Sequence, residues 1–411
     1  MKNVMVPKLL LFDLSIRGHH PAYIRHLITY WREWHLACHL DIVVSARFPR
    51  EHPDIMAEAS HSQSHSLDII PIAPEEEATL HARTSRLQRM QRHFQEWRLF
   101  QTYTKALAPS HCLLMLIDTY QLPLLLRASA PRPFSGIYFR PSFHYRDLQP
   151  YTASVMDCLR QWCEKRTVAR ISKHPQLRHL FCLDPFAVEP LSRLCRHVRP
   201  IALPDPVQPT QLAMRPCDLR QKLDIEPERI VFLLFGSLTA RKGVYPLLDA
   251  IATLSPQLCQ KFCLLLVGES NIEFDLESRI KQLSQSRPVQ IIRRYEFIPE
   301  PEIQPYFQLA DVVLAPYQRH VGMSGILILA AAAGTPVLSS NYGLMGAMVR
   351  HHQLGLTVDS GSIQEIATGL RCCLTQAPAT LCNRQRMHAF AQQNRAERFA
   401  KVIYNALLDQ P

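Results

Sequence analysis

Ala310–Ser340, ADVVLAPYQRHVGMSGILILAAAAGTPVLSS, reads as strand, glycine-bearing turn, helix and strand. Val312–Ala315 is a short apolar run of the kind buried on both faces of a parallel sheet. Gly322 and Gly325 bracket a loop that opens an alanine-rich helix over Ile326–Ala333. Gly334 stops that helix, and Pro336–Leu338 begins the next strand. A helix opening at Ser324-Gly325 aims free backbone N–H groups and the positive end of its dipole at whatever occupies the loop. Diphosphates bind at such ends. An ordinary strand-to-helix connection has the same pattern, so this stretch alone leaves both readings open.

A second stretch has the same layout. Ile230–Phe235 is an apolar strand, GSLTARKG follows over Gly236–Gly243, and a helix is predicted over Val244–Leu254. Arg241 and Lys242 place two cations in a loop at a strand's C-terminal end, where open α/β sheets hold their ligands. A solvated Arg-Lys pair is the plain alternative. No Gly-Lys-Ser/Thr tripeptide is present, so the loop is not a P-loop.

The order of these pieces resembles the "group 1" glycosyltransferases of GT-B type, which use nucleotide-sugar donors. The resemblance runs over roughly residues 205 to 395. It rests on the loop ending Lys242-Gly243, the strand ending LLLVGE (Leu264–Glu269), FIPEPEIQPYFQLADVVLAPY and SGILILAAAAGTPV. The N-terminal half matches more loosely, through a strand, Gly18-His19-His20 and a helix over Pro21–Trp34. The resemblance implies an α/β fold of two facing Rossmann-like domains with parallel sheets and an interdomain cleft. It also implies transfer with retention of configuration and no metal or other cofactor, the nucleotide-sugar being a substrate. It further implies a donor site over Gly18, Ser237, Arg241, Lys242, Gly322, Met323, Ser324, Gly325 and Ile326. Ser237 stands where the family commonly has an arginine, a charge that Arg241 could supply. The family's two glutamates, eight positions apart, correspond to Val321 and Leu329, neither of which accepts a hydrogen bond from a hydroxyl. His320, beside the first of them, is the nearest polar replacement and is taken as a catalytic candidate. A degenerate transferase that only binds a nucleotide-sugar or assists assembly is the competing reading.

Candidates on the acceptor side come from the N-terminal half. Gly18 opens a helix N-terminus and lets backbone approach a phosphate or sugar closely, with His19 and His20 beside it. SGIYFRPSFHY presents Arg140 and His144, a second catalytic candidate, just past a strand. LLMLIDTYQLPL presents Asp118, whose simpler role is to N-cap the helix beginning near Tyr120. The expected acceptor is a saccharide, a lipid-linked saccharide or a small molecule.

Alternating strands and helices predict parallel sheets. Strands are expected at 9–13, 41–44, 112–117, 136–139, 180–183 and 200–202, then at 230–235, 262–267, 289–292, 312–315, 336–338 and 356–358. Proline-rich, aperiodic sequence between Leu203 and Pro216 divides residues 1–203 from 217–395, with 204–216 as linker and 396–411 as a C-terminal helix that could return to the first domain. The 411 residues contain no run of eighteen apolar residues and no signal-peptide pattern, so a cytoplasmic protein is expected, with peripheral contact at the inner membrane face left open. The twelve cysteines lack metal-ligand spacing and are expected as reduced thiols. His35–His39 and His61–His65 have helical spacing but lack the accompanying glutamate of a zinc helix.

A net charge of +11 favours acidic ligands, yet no nucleic-acid-binding module is recognisable. The basic stretch Ala82–Leu107 reads as an amphipathic helix with Met90, Phe94, Trp97 and Leu107 on one face. Burial of that stripe is preferred to weak contact with a membrane surface. In Cys158–Lys173, Trp162 is expected in the core, with Lys165 and Arg166 solvated.

Overall fold

The computed structural model describes residues 6–60, 66–81, 85–148, 154–207 and 215–408. The chain forms two compact units. The first comprises Met1–His144, Ala153–Pro206 and Ala396–Pro411; the second comprises Tyr145–Thr152 and Val207–Arg395.

The first unit holds a seven-stranded sheet. Its strands are β1 (Lys8–Asp13), β2 (His39–Val44), β3 (Leu67–Pro71), β4 (His111–Leu114), β5 (Phe134–Tyr138), β6 (Leu177–Cys182) and β7 (Arg199–Ala202). They lie in the order β3-β2-β1-β4-β5-β6-β7, every neighbouring pair parallel. The topology therefore reverses between β1 and β4. Strand β3 is absent from the sequence-based set, because it is a half-exposed edge ending in Pro71 and carries no continuous apolar run. The C-terminal helix Ala396–Leu408 belongs to this unit. Tyr404 donates to the Leu27 carbonyl at 3.0 Å, and Phe399 packs 4.8 Å from the Tyr23 ring.

The second unit holds a six-stranded sheet: β8 (Ile230–Phe235), β9 (Phe262–Val267), β10 (Gln290–Arg294), β11 (Val312–Ala315), β12 (Val337–Ser340) and β13 (Gly355–Val358). The order is β10-β9-β8-β11-β12-β13, again parallel throughout. Here the topology reverses between β8 and β11. The central strands are buried on both faces, which is why they read as unbroken apolar runs rather than alternating ones. Phe232 and Phe262 stack at 4.2 Å across β8 and β9.

One basic helix buries its apolar stripe as the sequence reading preferred, except at Met90, and another departs from its reading. The helix Arg86–Leu107, capped by Ser85, buries Trp97, Phe100 and Thr104, and Trp97 is only 2% exposed. Residues 82–84 lie outside the described residues. Met90, placed on the apolar face by the sequence, is exposed. Helix Val155–Ile171 does the reverse. Its inward positions are Asp157, Gln161, Val168 and Ile171, and this turns Trp162 outward to 53% exposure instead of into the core. Among the described residues no helix is long and apolar enough to cross a membrane.

Candidate functional site

In the second unit, the loops after β8 and β11 flank the point where strand order reverses, the place where open α/β sheets bind ligands. They are the two glycine loops read from the sequence. The backbone N–H of Gln318 donates to the Arg241 carbonyl at 2.8 Å, tying one loop to the other. Gly243 makes this approach feasible. Its φ is +76°, and a Cβ there would fall 2.1 Å from the Pro316 carbonyl oxygen.

Lys242 is buried, not a solvated loop charge. Its ammonium donates to the Phe235 carbonyl at 2.9 Å and to the Tyr317 hydroxyl at 2.5 Å, and it lies 4.4 Å from the centre of the Tyr317 ring. The cation is thus fixed at the C-terminal end of β8. Arg241 is exposed, and its guanidinium donates to Nδ1 of His320 at 2.6 Å. Nε2 of the same ring lies 3.3 Å from the Met323 carbonyl. A guanidinium only donates and a carbonyl only accepts, so these contacts select the neutral imidazole protonated at Nε2. His320 therefore braces Arg241 against the loop of Met323. Arg319, with φ of +45°, places a third cation here, its guanidinium 5.4 Å from the Tyr342 ring centre.

The loop ends at the helix Gly325–Ala333, capped by Ser324, whose side chain makes no capping bond. The first N–H groups of this helix thus donate nothing to Ser324 Oγ. Nothing lies within 4 Å of where a Cβ on Gly325 would sit, so the backbone is approachable from that side. The Gly322 N–H donates to the Tyr145 hydroxyl at 2.9 Å. Tyr145 is fully buried, its ring lodged so closely against Gly343 that a Cβ there would fall 2.5 Å from Tyr145 Cε2. Met323 and Ile326 flank these groups; Ser237 is exposed at the mouth of the first loop. Val321 and Leu329, in the glutamate positions, are both partly buried.

The first unit repeats the arrangement on its own sheet. The loops after β1 and β4 flank its reversal point and carry Gly18-His19-His20 and Asp118. His20 begins the helix His20–Glu33, and its Nδ1 lies 2.6 Å from Asp13 Oδ2 at the end of β1. Its ring stacks on Phe139. His19 is exposed; its charge acts on buried Asp205, which accepts from the Tyr23 hydroxyl. Burial raises the Asp205 pKa, and His19 opposes that rise.

Asp118 does not cap the helix beginning near Tyr120. Its carboxylate turns to the neighbouring strand and accepts from the Phe139 and Arg140 backbone N–H groups at 2.9 and 3.2 Å. Desolvation pushes its pKa up to about 6, against the pull of those N–H groups and the Arg140 charge. His144 is 2% exposed, with Nε2 3.0 Å from buried Asp184. The structure thus joins Asp118 with Arg140 and leaves His144 paired in the interior. It brings Arg241, His320 and Met323 together in the second unit, with Lys242 on the adjoining strand end.

Sequence reasoning overlooked Asp13, Tyr317 and Tyr145. The first two stand at or just past strand ends, a signal that was available. Tyr145 had none, because it reaches Gly322 from 177 positions away. Among the described residues, one group could hold a metal ion by spacing: His39, Asp41 and Asp68. It lies at the opposite ends of the strands from the loops above, and the Lys8 ammonium sits 2.9 Å from Asp41.

Residues 229–376, which contain both glycine loops, match the family model described as "Glycosyl transferases group 1". These 148 of the 411 residues carry the similarity to the group 1 glycosyltransferases. A D-inositol 3-phosphate glycosyltransferase of Pseudarthrobacter chlorophenolicus is 26% identical over 199 residues, 46% of this chain and 46% of that one. The chain thus spans about half the length of the curated relatives it matches. Among solved structures, sucrose-phosphate synthase from Thermosynechococcus elongatus has a TM-score of 0.67 at 16% identity, covering 98% of this chain and 97% of that one. Anabaena HepE, solved in complex with UDP, has a TM-score of 0.66 at 16% identity, covering 98% and 100%. At such identities these neighbours speak for the GT-B fold.

Proposed function

We propose that this GT-B chain is a group 1 glycosyltransferase that takes a nucleoside-diphosphate sugar at the β8/β11 reversal point. The observation carrying this reading is the convergence there of both glycine loops, three cations and the start of the helix Gly325–Ala333. A leaving diphosphate gains negative charge as the glycosidic bond breaks. Lys242, held by two hydrogen bonds, and Arg241, braced by His320, need little reorganisation to meet that charge. Preorganised electrostatics of this kind is usually the largest catalytic contribution. The neighbouring HepE was solved with UDP, which supports a uridine nucleotide as the first donor class to try. The resemblance supports retention of anomeric configuration without a metal. The acceptor is assigned to the β1/β4 loops of the first unit, where Asp13 orients His20 and Asp118 holds a proton nearer neutrality than an ordinary carboxyl.

A second reading is a degenerate binder. It is favoured by Val321 and Leu329 standing in the glutamate positions, and by His320 having one ring nitrogen engaged by Arg241 and the other by Met323. Incubation with a panel of nucleotide-sugars separates the two. Donor hydrolysis supports the transferase, and protection against thermal unfolding without turnover supports the binder. Neither effect with any donor would remove both.

A further inference from the structure

Helix Val155–Ile171 in the first unit carries an apolar ridge in solvent. Val155, Met156, Leu159 and Trp162 are 88%, 59%, 54% and 53% exposed. At 100° per residue these four fall on one side of the helix, opposite the buried Asp157, Gln161 and Val168. They occupy its first two turns. Single exposed apolar side chains are ordinary, but a tryptophan and three aliphatic side chains adjacent on one helix face mark an interaction surface.

The charges around the ridge are sorted by sign. The helix has two acidic residues, and both are used inward. Asp157 caps its start through Ser154, and Glu164 accepts from Tyr138, Ser142 N–H and the Ser142 hydroxyl. Arg160, Lys165, Arg166 and Arg170 are all exposed. Arg166 places its guanidinium 4.4 Å from the centre of the Trp162 ring, at the junction of apolar and basic portions. The outward face is therefore apolar at one end and purely cationic around and beyond it.

We infer that this helix docks the protein on an anionic phospholipid bilayer. Aliphatic side chains and a tryptophan suit the boundary between headgroups and acyl chains, and the cations suit lipid phosphates. The net charge of +11 adds attraction at a distance. A second copy of the chain fits poorly, since a two-fold interface on this ridge would gather the cations of both helices with neither helix offering an outward carboxylate to pair with them. The Arg86–Leu107 helix is no alternative anchor, its tryptophan being buried.

The test is sedimentation of the full chain with phosphatidylcholine vesicles made with and without phosphatidylglycerol. Binding to the mixed vesicles is expected, with release by salt and little binding to the neutral ones. The double variant Leu159→Ser, Trp162→Ser should lose binding with an unchanged melting temperature, because both positions are exposed. Lys165→Gln with Arg166→Gln should weaken it roughly thirtyfold, as expected for two interfacial cations. Any of four results overturns the inference: no binding, equal binding to neutral vesicles, binding that survives the double serine variant, or a concentration-dependent dimer in gel filtration that the same variant abolishes. The last would give the ridge to a second copy.

Discussion

The Arg241 guanidinium and His320 Nδ1 stand 2.6 Å apart, joining two loops whose partners are 79 positions apart in the chain. His320 was singled out because it lies beside the vacated glutamate position. The geometry gives it a different role. It accepts from Arg241 and donates to the Met323 carbonyl, so it orients a cation and fixes a loop.

This bracing predicts the behaviour of two variants. His320→Ala should lower donor turnover at least tenfold while leaving affinity for the bare nucleoside diphosphate within about threefold, since charge that develops only in the transition state affects the rate constant. His320→Gln offers an acceptor and a donor at similar reach and should recover most of the turnover. Glutamine cannot exchange a proton near neutral pH, so an inactive His320→Gln protein would point instead to acid-base work by the imidazole. Steady-state kinetics alongside calorimetry on the diphosphate decides between them.

Lys242 joins binding to folding. Lys242→Ala should weaken diphosphate binding at least tenfold, as for loss of a charge-assisted hydrogen bond of about 1.5–3 kcal/mol. Because Lys242 is buried and satisfies the Phe235 carbonyl, the substitution should also lower the melting temperature. A simple solvated loop charge would give the first effect without the second. Calorimetric titration and a thermal melt on the same sample measure both. Unchanged affinity would remove Lys242 from the donor site.

Stability should fall on mild acidification. His26 and His111 are both buried, and desolvation is the first cause of their lowered pKa values, to about 4 and about 3. The unfolded chain takes up these protons near pH 6.5. Between roughly pH 6.5 and 4 the unfolded state therefore binds more protons than the folded one, and stability is lost as pH falls through that window. Each histidine contributes up to about 1.4 kcal/mol per pH unit. Replacing either one with glutamine should reduce the slope of unfolding free energy against pH, and half-buried His352, lowered to about 4, supplies part of what remains. Because Asp118, raised to about 6, opposes this trend, the deciding comparison is variant against wild type, and an unchanged slope in both variants would show that these rings are solvated.

The fold was legible because buried parallel strands write themselves as apolar runs. Ile230–Phe235, Phe262–Val267 and Val312–Ala315 match the strands residue for residue. The edge strand Leu67–Pro71 was not, since one exposed face and a terminal proline erase the run. Both glycine loops were legible from local spacing, but their tie through Gln318 and Arg241 was not, because sheet order decides which loops meet. Trp97 was legible as a buried residue, whereas Trp162, read as core, stands in solvent, for a related reason. Trp97 and Trp162 sit in equally basic helices, and the partners that decide burial lie elsewhere: Phe12, Tyr120 and Phe134 surround the Trp97–Phe100 pair, and Tyr138 and Ser142 draw Glu164 inward and roll Trp162 out.

Val321→Glu is the substitution on which the transferase and binder readings part most sharply. Val321 precedes Gly322, whose N–H is held by Tyr145, so the loop backbone is fixed without help from the side chain at 321. Val321 is partly exposed, and a glutamate there can reach solvent without a full desolvation cost. The carboxylate would stand close to His320 in sequence and near the Arg241 guanidinium that His320 braces, and it could accept hydrogen bonds from donor hydroxyls. If the wild-type chain is a transferase working through its cations, Val321→Glu should change KM for the sugar donor more than kcat, because one added hydroxyl contact acts on ground state and transition state alike. If the wild-type chain turns over no donor, appearance of hydrolysis in Val321→Glu would identify a binder that lost its chemistry at this position. An inactive wild type with an equally inactive Val321→Glu protein, both still binding the diphosphate, would place the loss elsewhere, with Leu329→Glu the next variant to measure.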